Sequence, residues 1–340
     1  MLRIFRSIGL IVSFGLALNA WGQSQIEKPN VRLAVGGKPA LYYLPLTIAD
    51  QLGFFKDEGL QVEISDFQGG AKALQAVVGG SADVVSGAYE HTIYMQAKGQ
   101  MLQAFVLQGR APQMSLGISK AKAASYKSPK DLKGMKVGVS APGSSTQMLL
   151  NYVLAQGGLE PSDVSVIATG AGAGVVAAVK SGQVDAMSNA DPAMTKLERD
   201  GDIVIVANTR TMAGTEAVFG GPMPAGSLYA PVDFIKKNPN TVQALANAIV
   251  RALKWLQKAT PEQVANTAPQ EYLLGDRAVY MQSFVNIRDA LSPDGEITEA
   301  GAKNTLRVLA GFTLEIRPAQ IKIEQTYTNE FARRANSKYR

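Results

Sequence analysis

Ala76-Val77-Val78-Gly79-Gly80-Ser81-Ala82-Asp83 returns further along the chain as Ala178-Val179-Lys180-Ser181-Gly182-Gln183-Val184-Asp185. The two aspartates stand 102 positions apart, about the length of one small α/β lobe. The first copy ends a helix-patterned stretch, Ala71 to Val78, and leads into a short apolar run, Asp83-Val84-Val85-Ser86. The second ends Ala171 to Lys180 and leads into Val184-Asp185-Ala186-Met187. Outward from the first copy lie extended stretches at Val31–Val35, Gln61–Ile64 and Leu102–Leu107, with helices at Tyr42–Leu52 and His91–Lys98. Outward from the second lie a strand at Lys136–Val139, a helix at Ser145–Gln156 and a strand at Val164–Ala168. Strand and helix alternate twice over, which predicts two α/β lobes, each a mostly parallel sheet flanked by helices.

Past Ile203-Val204-Ile205-Val206 the pattern changes. Gly214 to Gly226, rich in Gly and Pro, reads as a connector, and Ser227–Ala230 as one more strand. Asn238-Pro239 then opens a helix with a stripe at Val242, Leu245, Ala246, Ile249, Val250, Leu253 and Leu256. Further helices are expected over 276–291, 298–309 and 319–335. The chain therefore visits one lobe, crosses to a second and returns. Residues 31–116 and 214–340 are expected to form lobe one, and 117–213 lobe two.

Arg3 and Arg6 precede an apolar run from Ile8 to Leu18, followed by Ala20-Trp21-Gly22. A positive start, a run too short to span a bilayer comfortably and small residues at −3 and −1 predict a signal peptide, residues 1–22. An uncleaved anchor is the alternative. The rest is expected to be exported to the periplasm. The chain has no cysteine, which excludes disulfides and thiolate metal sites. Its one histidine, His91, excludes His-based triads and multi-His metal centres. The net charge of +6 includes Arg3 and Arg6, and no basic stripe with interleaved aromatics appears, so nucleic acid is not an expected partner.

Ser140-Ala141-Pro142-Gly143-Ser144-Ser145-Thr146-Gln147 joins a strand to a helix through a Gly-bearing turn and a cluster of hydroxyls. Helix starts offer unpaired N–H groups and the positive end of the macrodipole, so this is a place for an anion. Capping explains one of the hydroxyls but not three in a row.

Gly53-Phe54-Phe55-Lys56-Asp57-Glu58-Gly59-Leu60-Gln61-Val62, taken with Gly79…Asp83 and Gly143-Ser144-Ser145-Thr146, resembles the periplasmic solute-binding proteins of ABC importers. The similar branch is the nitrate/sulfonate/taurine/bicarbonate-like one, which also contains thiamine-precursor binders. The resemblance implies a type II periplasmic-binding-protein fold, with the solute held between two lobes joined by two crossovers. Carried onto this sequence, lobe one would offer Lys38, Tyr42, Tyr43, Gln68, Ser86, Tyr89 and Glu90. Lobe two would offer Ser140, Ser144, Ser145, Thr146, Asn189 and Asp191. Glu90 and Asp191 admit a second account, as acids favoured at helix starts. If either meets the solute, it would suit the amine of a zwitterion rather than a dianion. The expectation is a receptor, not an enzyme, without cofactor, acting as a monomer that delivers a sulfonate- or carboxylate-like anion to a permease. The alternatives are an aminosulfonate-like zwitterion, a pyrimidine, or an enzyme on the same scaffold.

Overall fold

The computed structural model describes residues 25–339; the expected signal peptide lies outside them. The first lobe opens with β1 (Asn30–Val35), α1 (Leu44–Gln51), α2 (Phe54–Asp57) and β2 (Gln61–Asp66). It continues through α3 (Gly70–Val78), β3 (Val84–Ala88), α4 (Glu90–Ala97) and β4 (Leu102–Leu107). The second lobe holds β5 (Met114–Ser119), α5 (Lys120–Ala123), β6 (Lys136–Val139), α6 (Ser145–Gln156) and β7 (Ser165–Ala168). α7 (Ala173–Lys180), β8 (Ala186–Ala190), α8 (Ala193–Arg199) and β9 (Ile203–Asn208) complete it. The return runs through α9 (Met212–Phe219) to β10 (Gly226–Pro231). α10 (Val232–Lys237), α11 (Pro239–Lys258), α12 (Pro261–Thr267), α13 (Arg277–Ile287), α14 (Glu299–Ala310) and α15 (Glu330–Lys338) follow.

The two five-stranded sheets are ordered β2-β1-β3-β10-β4 and β7-β6-β8-β5-β9. In each, three neighbouring strands run parallel, and the strand that arrives from the other lobe is inserted antiparallel to both its neighbours. The sequence repeat has a structural cause. Asp83 precedes β3, its backbone N–H donates to the Arg32 carbonyl on β1 at 2.8 Å, and its Oδ2 accepts from the Arg32 N–H at 2.9 Å. Asp185 precedes β8 and does the same with Lys136 on β6, its Oδ2 also 2.9 Å from the backbone nitrogen. Each aspartate pins the start of the third strand to the first, which aligns the strand ends that face the cleft.

Three readings differ from the structure. No strand was expected over 114–119, yet every residue of β5 pairs in the second sheet, so the expected edge of lobe two at 117 falls inside that strand. Its alternation of Met114, Leu116 and Ile118 with Ser and Gly is a strand pattern, but all six positions are buried. The expected connector 214–226 contains most of α9, which Thr211 caps by accepting from the Gly214 N–H. The expected helix 319–335 is α-helical only from Glu330, with single 3-10 turns at Pro318–Gln320 and Ile323–Gln325 before it. Ahead of it, Thr326 and Thr328 bond to Ala104 at 2.9 and 2.8 Å, covering an edge of β4.

Two crossovers, residues 108–113 and 209–225, lie side by side. Gln113 donates to the Thr209 carbonyl at 2.9 Å, Thr209 to that of Met114 at 2.8 Å, and Ala225 to that of Gly109 at 2.9 Å. The predicted stripe of α11 is buried at all seven positions and packs on α1, α2, β4 and α15. The C-terminal helices thus back the first lobe.

Candidate functional site

The strand ends of both sheets open onto one cleft, and most of the loops there run into helices. α6 starts after Gly143, whose φ of 80° turns the chain, and its N-cap is Ser144. The Ser144 side chain does not cap its own helix. It accepts from the Ala71 N–H of α3, in the opposite lobe, at 3.0 Å. The Thr146 hydroxyl accepts from the Ser140 N–H at 3.0 Å and pairs with the Ser140 hydroxyl at 2.9 Å. Ser188 donates to the Thr146 carbonyl at 2.7 Å. The lobe-two wall is therefore braced from within. A second bond crosses the cleft from the Leu41 N–H to the Asp191 carbonyl at 2.8 Å.

Glycine makes this approach possible. Gly37 and Gly69 have φ of 107° and 125°, and a Cβ on either would fall 2.5 Å from Ala171 Cβ or 2.6 Å from Ala141 Cβ. Between the lobes remains an inner pocket of about 20 Å³, room for a single water. Of the expected site residues, Tyr42, Tyr43, Ser140, Ser144, Ser145, Thr146 and Asn189 line it together. Gly36, Gly70, Met114 and Ala171 also line it and were not anticipated. The Gly69-Gly70 pair at a helix start was the available signal for Gly70. Met114 was hidden in the unassigned strand. No charged side chain lines the inner pocket, while α3 and α6, and α7 just beyond Ala171, begin around it.

The other expected residues sit elsewhere. The Lys38 backbone N–H donates to Asp66, and its side chain does not line the pocket. Gln68 is exposed. Ser86 accepts from Gln108 Nε2 at 2.9 Å, inside lobe one. Tyr89 turns away, its hydroxyl 2.6 Å from that of Thr326. Asp191 is buried behind the pocket, accepting from the Thr195 N–H and hydroxyl at 2.8 Å each, with Arg210 Nε 2.9 Å from its Oδ2. Burial pushes the Asp191 carboxyl above its ordinary value, and Arg210 and Thr195 pull against that.

Lobe one's wall is less well satisfied. Burial raises the Glu90 carboxyl to about 7 and pushes the Tyr42 hydroxyl well up. The Ser145 hydroxyl lies close enough to ease both, yet Tyr42 Oη and Glu90 Oε1 have no partner of hydrogen-bond geometry. His91 Nδ1 is 2.9 Å from Tyr229 Oη, and its Nε2, near the Gly143 backbone, is unpaired. Burial lowers the His91 pKa to about 4, so the ring is neutral. Among the described residues, no group of three or more His, Cys, Asp or Glu is placed to hold a metal ion, and no helix is long and apolar enough to cross a membrane.

Residues 25–269 match the NMT1-like family. The chain is 24% identical over 263 residues to the putative binding protein YtlA of Bacillus subtilis, covering 76% of this chain and 77% of that one. It is 25% identical over 285 residues to the bicarbonate-binding protein CmpA of Synechococcus elongatus, covering 76% of this chain but only 59% of CmpA. A solved structure from Bordetella bronchiseptica is 58% identical, with a TM-score of 0.91 over 93% of this chain and 99% of the other. The alkanesulfonate-binding protein SsuA from Xanthomonas axonopodis, bound to MOPS, shares the fold at a TM-score of 0.69 and 20% identity, over 88% of this chain and 98% of SsuA. The fold is that of periplasmic binding proteins, and the chain belongs to the NMT1-like family.

Proposed function

We propose that the protein is an extracytoplasmic receptor that captures a small organic anion, sulfonate- or carboxylate-like, and delivers it to an ABC importer permease. The observation that carries this reading is the inner pocket. Helix starts from both lobes gather around it, and hydroxyls rather than charged side chains line it. Neutral donors at helix N-termini suit an oxyanion. SsuA and CmpA, which share the fold or the sequence, are named for a sulfonate and for bicarbonate.

Closure would work as a population shift. Ligand bridging Ser145–Thr146 and the lobe-one wall favours the closed arrangement, which the permease then reads. Thermal unfolding of residues 23–340 against sulfonates, carboxylates, nitrate, bicarbonate, pyrimidines, amines and sugars tests this. One class of acid should raise the midpoint by several degrees, because ligand binds only the folded state. Stabilisation by amines or sugars alone would overturn the reading.

A further inference from the structure

The cleft does not end at the inner pocket. Beyond Ser144, which lines both spaces, it continues as a groove of about 480 Å³ between α3, α4 and α6. That volume lies within the range of small-molecule sites, roughly 300–1,000 Å³. The partition between the two spaces is thin: the Ala71 N–H bond to Ser144, beside Gly70. A Cβ on Gly70 would press to 3.2 Å from His91 Cε1, so glycine there keeps the partition narrow. Parting the lobes breaks the bond and joins the spaces.

The groove has the character of a ligand chamber. Tyr94, Met148 and Phe312 supply apolar and aromatic wall from three different segments. Glu90, His91 and Asn151 supply polar atoms, and Glu90 Oε1, His91 Nε2 and Asn151 Oδ1 are all buried without a partner. Glu90 and His91 are each 2% exposed. Burying such atoms unpaired is unfavourable, so closure is favoured by whatever gives them partners. Asn151 Oδ1 can only accept, whereas Glu90 accepts as a carboxylate and donates when protonated, so it is Asn151 that requires a donor from the solute. At the rim Lys98 and Glu315 lie 3.6 Å apart and offset each other, leaving no strong local field to select an ammonium.

We infer that this groove holds the body of the solute, an arene or compact chain carrying a neutral hydroxyl or N–H donor, while the acid group sits at the start of α6. The inference rests on the anion reading above and deepens it. The raised Glu90 carboxyl and the neutral His91 agree with a floor made for uncharged hydrogen-bonding groups rather than for an ammonium.

Calorimetric titration of residues 23–340 tests it with two matched series. One is methanesulfonate, benzenesulfonate and 4-hydroxybenzenesulfonate; the other is acetate, benzoate and 4-hydroxybenzoate. Taurine supplies an ammonium arm. In the preferred series the hydroxylated arene should bind at least tenfold more tightly than the bare arene, and the bare arene more tightly than the methyl acid. Asn151→Leu should abolish the hydroxyl preference, and Tyr94→Ala should weaken both arenes at least fivefold more than the methyl acid. The second variant keeps the test decisive if the first fails to fold. A methyl acid that binds as tightly as the hydroxyarene overturns the groove assignment and leaves the anion reading standing. Taurine binding most tightly also overturns the neutral-donor assignment. If no acid of either series binds, both readings fall.

Discussion

The two walls of the cleft are built from equivalent elements of the repeat, yet they are finished differently. In lobe two the hydroxyls of Ser140, Thr146 and Ser188 bond to one another and to the α6 backbone, and Asp191 is fixed by Thr195 and Arg210. In lobe one, Tyr42 Oη, Glu90 Oε1 and His91 Nε2 reach the interface buried and unpaired. A wall whose bonds are internal keeps its shape whether the cleft is open or closed. A wall with unmet polar atoms favours closure only when something meets them. The asymmetry therefore assigns rigidity to the Ser140–Thr146 loop of lobe two, and ligand sensing to the lobe-one wall together with Asn151 further along α6.

The largest effect should come from unbracing the rigid wall. Arg210 lies in the return crossover and is 3% exposed, with its guanidinium on Asp191 and Glu198. Arg210→Met leaves the Asp191 carboxylate buried without its cation, which costs about 3–5 kcal/mol when a buried pair is broken from one side. Urea unfolding should show that loss, and Arg210→Met with Asp191→Leu should recover part of it. A single variant as stable as wild type would mean that the pair does not brace this wall. Next in size is a block on closure itself. Gly69→Val adds a Cβ 2.6 Å from Ala141 at a φ of 125°, so the lobes could not meet. Ligand affinity should fall about a hundredfold, near 2.7 kcal/mol, and X-ray scattering should show no compaction on adding ligand. Normal compaction would contradict the closed contact.

The sensing wall should be legible in the pH dependence of stability, because Glu90 and His91 stand side by side with opposite shifts. Glu90, raised from 4.5 to about 7, keeps a proton in the fold that the unfolded chain has lost, so its contribution falls as pH rises through that window. His91, lowered from 6.5 to about 4, lacks a proton that the unfolded chain holds, so its contribution rises with pH across its own window. Between pH 4.5 and 6.5 the two oppose each other in wild type. Relative to wild type, Glu90→Gln should gain stability as pH rises and His91→Gln should lose it, each by at most about 1.4 kcal/mol per pH unit. Urea midpoints at pH 4.5, 5.5 and 6.5 decide it; parallel profiles for all three proteins would show that neither group is buried as described.

The sequence carried the fold because the repeat is tied to backbone pairing: Asp83 and Asp185 each hold a strand start, and such roles leave a spaced signature. β5 escaped notice because full burial leaves a strand only small and apolar residues, without the polar face that marks a half-buried one. The lining of the inner pocket was legible where it is local. Ser140–Thr146 is one loop and one helix start, and Tyr42-Tyr43 one turn. Tyr89 and Ser86 were named from their positions at a strand end, but which way they point depends on Thr326 and Gln108, which are distant in sequence. Gly70 against His91, and Ala171 against Gly37, are contacts between lobes that no local pattern encodes.

The smallest predicted effect separates capping from closure at Ser144. An N-cap hydroxyl normally accepts from its own helix, and replacing it by Ala lowers folding stability by about 1 kcal/mol. Here the hydroxyl accepts from Ala71 of the opposite lobe instead. Ser144→Ala should therefore leave the unfolding free energy of an open, ligand-free chain within about 0.5 kcal/mol of wild type. The loss should appear in ligand binding, weakened about fivefold, the value of one neutral hydrogen bond formed on closure. The opposite partition, lower stability with unaltered affinity, would make Ser144 an ordinary cap and place the moving contact elsewhere on the lobe-one wall.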